Sequence, residues 1–166
     1  MLKTNLDKID YRILHYLQND GRMSNAELAD AVGLSPSPCL QRVKKLVERG
    51  VIERYVAIVN PKAVGLPINV VVNVSLKNQD QKSLEIFNKR IAKCREVMEC
   101  YLMTGGADYL LRVLVPDLEH YERFVLKRLT RIPGIANIQS SFSLQQISYN
   151  TELPLSESVP LTHVEG

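Results

Sequence analysis

The chain has 166 residues, 45% hydrophobic and 23% charged, with 8 Gly and 8 Pro, which suits one mid-sized or two small globular domains and excludes a large multidomain enzyme, a collagen-like chain and disorder over most of the length. No apolar run approaches the roughly 18 residues that a membrane span needs, and Met1–Asn5 leads into charged residues without a signal-peptide core, so a cytoplasmic protein is expected. The formal charge of +3 lies wholly in residues 1–62, which carry ten Lys or Arg against seven Asp or Glu, whereas residues 63–166 carry eleven of each.

Three short helices open the chain. Asp7 precedes Ile9, Ile13, Leu14 and Leu17 at helical spacing, and Asp20–Gly21 ends that segment. Ser24 caps a two-turn helix over 25–32 that turns Leu28, Ala29 and Val32 to one side and stops at Gly33, a residue suited to the left-handed turn after a helix. Ser35 is the expected cap of a third helix, with Pro36 at its first position, where the missing N–H costs nothing. Leu40, Val43 and Val47 are expected inside, with Pro38, Gln41, Lys45 and Arg49 on the opposite face.

A DNA-reading pair of helices needs a small residue where the helices cross, a glycine in the turn and apolar faces that lock the second helix. Ala29, Gly33, Leu28, Val32 and Leu34 fit those positions. Residues 36–49 hold Arg42, Lys44, Lys45 and Arg49 against only Glu48, a bias that a solvated helix face also shows. Gln and Arg suit base edges and Lys suits phosphate, so Ser35, Ser37, Gln41, Arg42, Lys45 and Arg49 are the candidate DNA contacts. Beyond Gly50, Val51–Ile52 and the stretch from Tyr55 to Val59 are expected to form a short β-segment acting as a wing.

The second half alternates differently. A β-branched strand is expected from Ile68 to Lys77, then an amphipathic helix from Asp80 to Cys94 with Leu84, Phe87 and Ile91 inside. Strands follow at 97–104 and 108–115, joined through Gly105, Gly106 and Ala107. Asp117 then caps a helix bearing Leu118, Tyr121, Phe124, Val125 and Leu129, and a last strand runs from Ile135 to about Ile147. The order β, α, β, β, α, β is the ferredoxin-like arrangement, a four-stranded antiparallel sheet with both helices on one face. Its other face is expected to expose Ile68, Val70, Val72 and Val74 or their neighbours, and a second subunit to cover it.

Nothing in the sequence forms a catalytic constellation. His15, His120 and His163 are far apart, the three cysteines lack a CxxC pair, and no nucleophile, nucleotide or zinc motif occurs, so neither an enzyme nor a metal or cofactor is expected. The loop Thr104, Gly105, Gly106, Ala107, Asp108, Tyr109 has two readings. One is a plain hairpin in which glycine serves conformation. The other is a zwitterion site, with backbone N–H groups on an α-carboxylate, Asp108 on the ammonium, and Ser141 or Ser143 assisting.

Asp7, Asp10, Ile13, Leu14, Leu17, Asp20, Gly21 and Arg22, then Gly33, Leu34 and Ser35, then Arg42, Val43, Leu46, Gly50, Val51, Ile52, Tyr55, Ala57 and Pro61 resemble the Lrp/AsnC (feast/famine, leucine-responsive) regulators. Gly105, Asp108, Tyr109, Leu110 and Leu111, Pro133 and Gly134, and Thr151, Leu153, Pro154 and Leu155 extend the resemblance over residues 7–155. It implies an α+β chain with three parts: a winged helix-turn-helix over 1–62, a ferredoxin-like effector and oligomerisation domain over 63–150, and a C-terminal segment and tail over 151–166. It also implies double-stranded DNA as partner, homodimers building higher oligomers, commonly octamers, and a free amino acid as effector. Many relatives carry larger or acidic residues where this chain has Gly106 and Ala107, so leucine, methionine, asparagine and others stay open.

The expected function is sequence-specific transcription regulation, in the cytoplasm on the nucleoid, with third helices in successive major grooves and a roughly palindromic operator. Two alternatives stand beside it: an architectural protein that wraps DNA through phosphate contacts, and a metabolite-binding ferredoxin-like protein that does not act on DNA.

Overall fold

The computed structural model describes residues 6–155; the N-terminal Met1–Asn5 and the tail expected at 156–166 lie outside the described residues. The chain forms two compact units. Within the described residues the first runs to Ala57 and takes back residues 148–155, and the second spans Ile58–Ile147.

The first unit is built on α1 (Lys8–Asn19), α2 (Asn25–Val32) and α3 (Pro36–Glu48). Two reciprocal caps start the first two helices. Asp7 accepts from the Ile9 and Asp10 N–H groups while Asp10 accepts from the Asp7 N–H, and Ser24 and Glu27 do the same for each other, so orphan donors at each helix start are satisfied by local side chains. Ser35 precedes α3 without a side-chain capping bond, and Pro36 at the first position removes one donor that would need it. Ile13, Leu14, Leu28, Ala29, Val32, Cys39 and Leu46 form the core, with Ile9, Leu17, Leu34, Val43 and Leu155 packed around it.

The inner face of α3 differs from the expected one by a single position. Cys39 and Leu46 are buried with Val43 beside them, while Leu40 and Val47 are 43% and 44% exposed. Both triplets have helical spacing, and packing against α1 and α2 selects the first. The wing strand does not form within the chain: residues 53–60 pair with no strand among the described residues and leave Tyr55, Val56, Ile58 and Val59 exposed. β-branched residues favour extension, but a strand needs a partner to satisfy its ladder.

The second unit contains β1 (Ile68–Leu76), α4 (Gln81–Ile91), β2 (Val97–Leu102), β3 (Tyr109–Val115), α5 (Leu118–Phe124) and β4 (Ile135–Phe142). Asp80 and Asp117 cap the two helices through the Ser83 and His120 N–H groups. A single π turn, Val125–Leu129, prolongs α5, closed by the Thr130 N–H on the Val125 carbonyl. The sheet order β2-β3-β1-β4 with antiparallel neighbours is the ferredoxin-like topology.

Val70, Val72 and Val74 lie fully buried opposite Val113, Leu111 and Tyr109, beneath Phe87, Ile91, Tyr121, Phe124 and Leu129. Of the two parities open for the uncovered face, these valines and their neighbours, the structure selects the neighbours. That face carries Asn69, Val71, Asn73 and Ser75 from β1, Arg112 from β3 and Glu99 from β2, with a 2.7 Å ion pair joining Arg112 to Glu99. The alternation of strand side chains requires one parity to be inside, and the two asparagines hold the odd one out.

Candidate nucleic-acid interface and effector loop

Three contacts fix the angle of α3. Gly33 adopts φ +73°, and the Leu34 N–H reaches back 2.8 Å to the Ala29 carbonyl, ending α2 in a left-handed turn. Asn25 Nδ2 donates to the Pro36 carbonyl at 2.9 Å and Arg12 Nη2 to the Ala31 carbonyl at 2.6 Å, which ties the start of α3 to α2 and α2 to α1. The face of α3 turned away from the core then presents Ser37, Gln41, Lys44 and Lys45, all exposed. A cleft of about 320 Å³ runs along it, lined by Pro38, Gln41, Lys45 and Arg49 with Asp10, Arg42 and Leu46. Ser35 is exposed at the helix entry.

Arg42 is placed differently from its neighbours. Its Nη1 donates to Asp7 Oδ2 at 2.6 Å and to Asp10 Oδ1 at 2.8 Å, and the side chain is only 31% exposed. The expectation of a free guanidinium beside Gln41 is therefore corrected: the start of α1 holds it. The Asp10 N–H and then the Arg42 guanidinium keep the Asp7 carboxyl below the usual carboxylate range. Asp10, buried and absent from the sequence-derived contacts, is the residue that reasoning missed. An acidic residue three places after a capping Asp was the available signal.

The C-terminal return also belongs to this unit. Glu152 Oε1 lies 3.0 Å from His15 Nδ1 and 3.3 Å from Asn19 Nδ2, and the Leu153 N–H donates to Gln18 Oε1 at 2.8 Å.

In the second unit the loop between β2 and β3 is closed by the Met103 N–H on the Asp108 carbonyl at 2.8 Å. Gly105 has φ +124°, a conformation open to glycine, and a side chain at Gly106 would meet nothing within 4 Å. Thr104, Gly105 and Gly106 are exposed, and among the described residues no N–H of Thr104, Gly105, Gly106 or Ala107 donates to a protein acceptor. Four adjacent N–H groups without a protein acceptor, on a largely exposed turn, are suited to an anion.

The other expected effector residues do not converge there. Asp108 accepts from the Leu76 N–H at 2.7 Å and from Gln79 Nε2 at 2.6 Å, so it braces the loop against the end of β1. Tyr109 is core: it stacks on Phe87 at 4.1 Å and its hydroxyl donates to Asn88 Oδ1 at 2.9 Å. Ser141 pairs with Val71, and the Ser143 N–H bonds the Asn69 carbonyl. Asp108 sits beyond Val74 at the other end of β1, which puts the two serines roughly 10 to 20 Å from the loop at strand rise. The antiparallel register separates them within one chain.

Burial pushes the thiols of Cys39 and Cys94 up, and no group of three or more metal-ligating side chains comes together among the described residues. No helix among them is long and apolar enough to cross a membrane.

Residues 6–53 match the winged helix-turn-helix DNA-binding family, and residues 69–153 match the Lrp/AsnC ligand binding domain. The chain is 38% identical over 148 residues to the leucine-responsive regulatory proteins of Escherichia coli K12 and Klebsiella pneumoniae, covering 89% of this chain and 90% of each relative. A Neisseria meningitidis transcriptional regulator solved as its L-Met complex is 40% identical with a TM-score of 0.85, covering 90% of this chain and 96% of that one. An AsnC family transcriptional regulator from Agrobacterium tumefaciens gives the same identity and TM-score, with 90% and 97% covered. Helix-turn-helix geometry, ferredoxin-like topology and these matches agree over almost the whole described length: the chain belongs to the Lrp/AsnC family of DNA-binding transcription regulators, which pair a winged helix-turn-helix with a ligand-binding domain and are not enzymes.

Proposed function

We propose that this regulator reads specific operator sequences through α3 and that a free amino acid, leucine or methionine foremost, sets its DNA affinity or oligomeric state. The observation that carries the first part is the exposed row Ser37, Gln41, Lys44 and Lys45 on a helix whose angle is fixed by three independent contacts. Gln41 offers a donor and an acceptor to a base edge, Ser35, Ser37 and Lys45 address phosphate or base, and Arg49 closes the row. Arg42 supports the reading helix by tying it to Asp7 and Asp10 at the start of α1.

For the effector, the free N–H groups from Thr104 to Ala107 are suited to an α-carboxylate, while Asp108 shapes the loop that carries them. The leucine-responsive names of the relatives and the L-Met complex support an amino acid as the ligand class. Dimers that build a higher oligomer, an octamer by family resemblance, fit the unpaired and exposed 53–60 segment, whose edge a second copy can complete. Action on DNA sets the cytoplasm as its place of work.

The coupling is thermodynamic: an effector shifts DNA affinity only by the difference between its own affinities for the free and DNA-bound forms, or for two oligomers. Thermal shift against the twenty amino acids tests the ligand class, since a ligand that binds the native state raises its melting temperature. Stabilisation by one or a few amino acids, lost on Gly105→Val, is expected; stabilisation by none would remove the amino-acid effector.

A further inference from the structure

The second unit carries a basic cleft that neither the helix-turn-helix nor the effector loop uses. It lies where the end of α4 meets the π turn after α5, has a volume of about 360 Å³, and is lined by Arg90, Lys93, Lys127, Arg128 and Arg131 over a floor of Cys94 and Ile132. All five cations are exposed. Arg128 has one distant carboxylate, Glu96, at 3.9 Å. Among the described residues Arg90, Lys93, Lys127 and Arg131 have no ion-pair partner, so no carboxylate of the unit neutralises the cleft beyond Glu96. Cations near a helix C-terminus gain from its dipole, yet that gain falls off within a turn and does not gather five like charges around one concavity, where they repel each other without an anion.

We propose that this cleft is a second DNA-contacting surface, through which the ligand-binding unit neutralises phosphates of the duplex outside the segment that α3 reads. The shared chemistry is phosphate, and the form of the cleft selects the duplex backbone over a small phosphate compound. A small-ligand site buries most of its ligand and fixes it with a few precisely placed polar groups, while here every donor is the solvated tip of a long flexible side chain. Such tips act through counterion release, additive in the number of phosphates met and indifferent to base sequence. Once α3 holds an operator, the flanking duplex is present at high effective concentration, so weak contacts suffice.

The inference rests on DNA binding by α3, and the experiment separates the two. The full chain first enriches a binding duplex from a random pool; affinity is then measured against salt on a form of roughly two to three helical turns and on one carrying several further turns of flank. The variant is R90Q/K93Q/K127Q/R131Q, all at exposed positions. On the short duplex variant and wild type should bind alike, which leaves α3 untouched. On the long duplex wild type should gain a steeper dependence of log affinity on log salt, and the variant should lose about 0.9 of slope per phosphate contact removed, up to about 3.6 for the four cations of one protomer. Equal slopes for both proteins on the long duplex overturn the proposal. So does a variant whose oligomer distribution changes in sedimentation, since the cleft is then a subunit contact. Saturable millimolar stabilisation of wild type but not variant by inorganic phosphate or pyrophosphate also overturns it, in favour of a small-anion site. Failure of the short duplex to bind wild type at all would instead remove the α3 reading.

Discussion

Replacing Arg42 by Ala removes the link between the start of α1 and the middle of α3, and its two halves have different weights. Arg42 Nη1 meets Asp10 Oδ1 at 2.8 Å and Asp7 Oδ2 at 2.6 Å, while the side chains are 31% exposed for Arg42, 11% for Asp10 and 53% for Asp7. A hydrogen bond to a charged group contributes about 1.5 to 3 kcal/mol when shielded, whereas an exposed pair contributes about 0 to 1 kcal/mol. With Arg42 nearly one-third exposed, a coupling of about 1 to 2 kcal/mol is expected for Asp10–Arg42 and about 0.5 kcal/mol for Asp7–Arg42. Shorter distance therefore goes with the weaker pair, because water screens it. The assay is a pair of double-mutant cycles, Asp10→Ala with Arg42→Ala and Asp7→Ala with Arg42→Ala, in urea with helical circular dichroism as the readout. Asp7→Ala alone also loses its cap, about 1 kcal/mol, and the cycle subtracts that. A coupling to Asp10 below about 0.3 kcal/mol, or one no larger than that to Asp7, would refute the assignment of Arg42 as a bracket.

Gln41→Ala should weaken binding to the preferred duplex by about 1 to 3 kcal/mol and relax base choice, while Lys45→Ala should weaken all sequences alike and lower the salt slope by about 1; competition anisotropy against altered duplexes measures both. Gly105→Ala should destabilise the second unit by about 1 to 3 kcal/mol through its positive φ, and Gly106→Ala, with open space around it, should change urea stability little. The Asp7 carboxyl is depressed from 3.8 by the Asp10 N–H and by Arg42, so its contribution is complete above that ordinary value and is lost as the pH falls through the lower folded value; acid unfolding of Asp7→Asn should show a shallower loss below about pH 4 than wild type. Leu155→Ala should lower the stability of the helical unit, because that residue packs on its core; an unchanged urea midpoint would show that the C-terminal return is only a surface contact.

What the sequence made legible was local. The positions of Asp7, Ser24 and Asp117 at helix starts and the stop at Gly33 depend on residue type and spacing within a turn, and each was readable for that reason, whereas Asp80, expected as the first helical residue, is itself the cap. The order of elements followed from alternation and helical periodicity, and with it the ferredoxin-like topology. The parity of β1 was also available, since Asn69 and Asn73 occupy the face opposite Val70, Val72 and Val74, although apolar content alone drew attention to the valines. For α3 two apolar pairs one residue apart compete around a shared Val43, Cys39 with Leu46 and Leu40 with Val47, and only contact with the other helices distinguishes them. The remaining differences are nonlocal. Arg42 finds Asp7 and Asp10 across 35 and 32 residues, Asp108 finds Leu76 across 32, and His15 finds Glu152 across 137. No periodicity encodes such partners, and they decide which polar side chains of the candidate sites remain available to a ligand.

The central claim, that α3 binds DNA and the ligand-binding unit adjusts that binding, is tested most directly by fluorescence anisotropy of an enriched duplex at low salt with wild type and the Gln41→Ala/Lys45→Ala variant, each without and with saturating leucine or methionine. Wild type should bind, the variant should lose at least tenfold, and one of the two amino acids should shift the apparent wild-type affinity by about 5- to 150-fold. Equal binding by wild type and variant, with neither amino acid moving either curve, would contradict it.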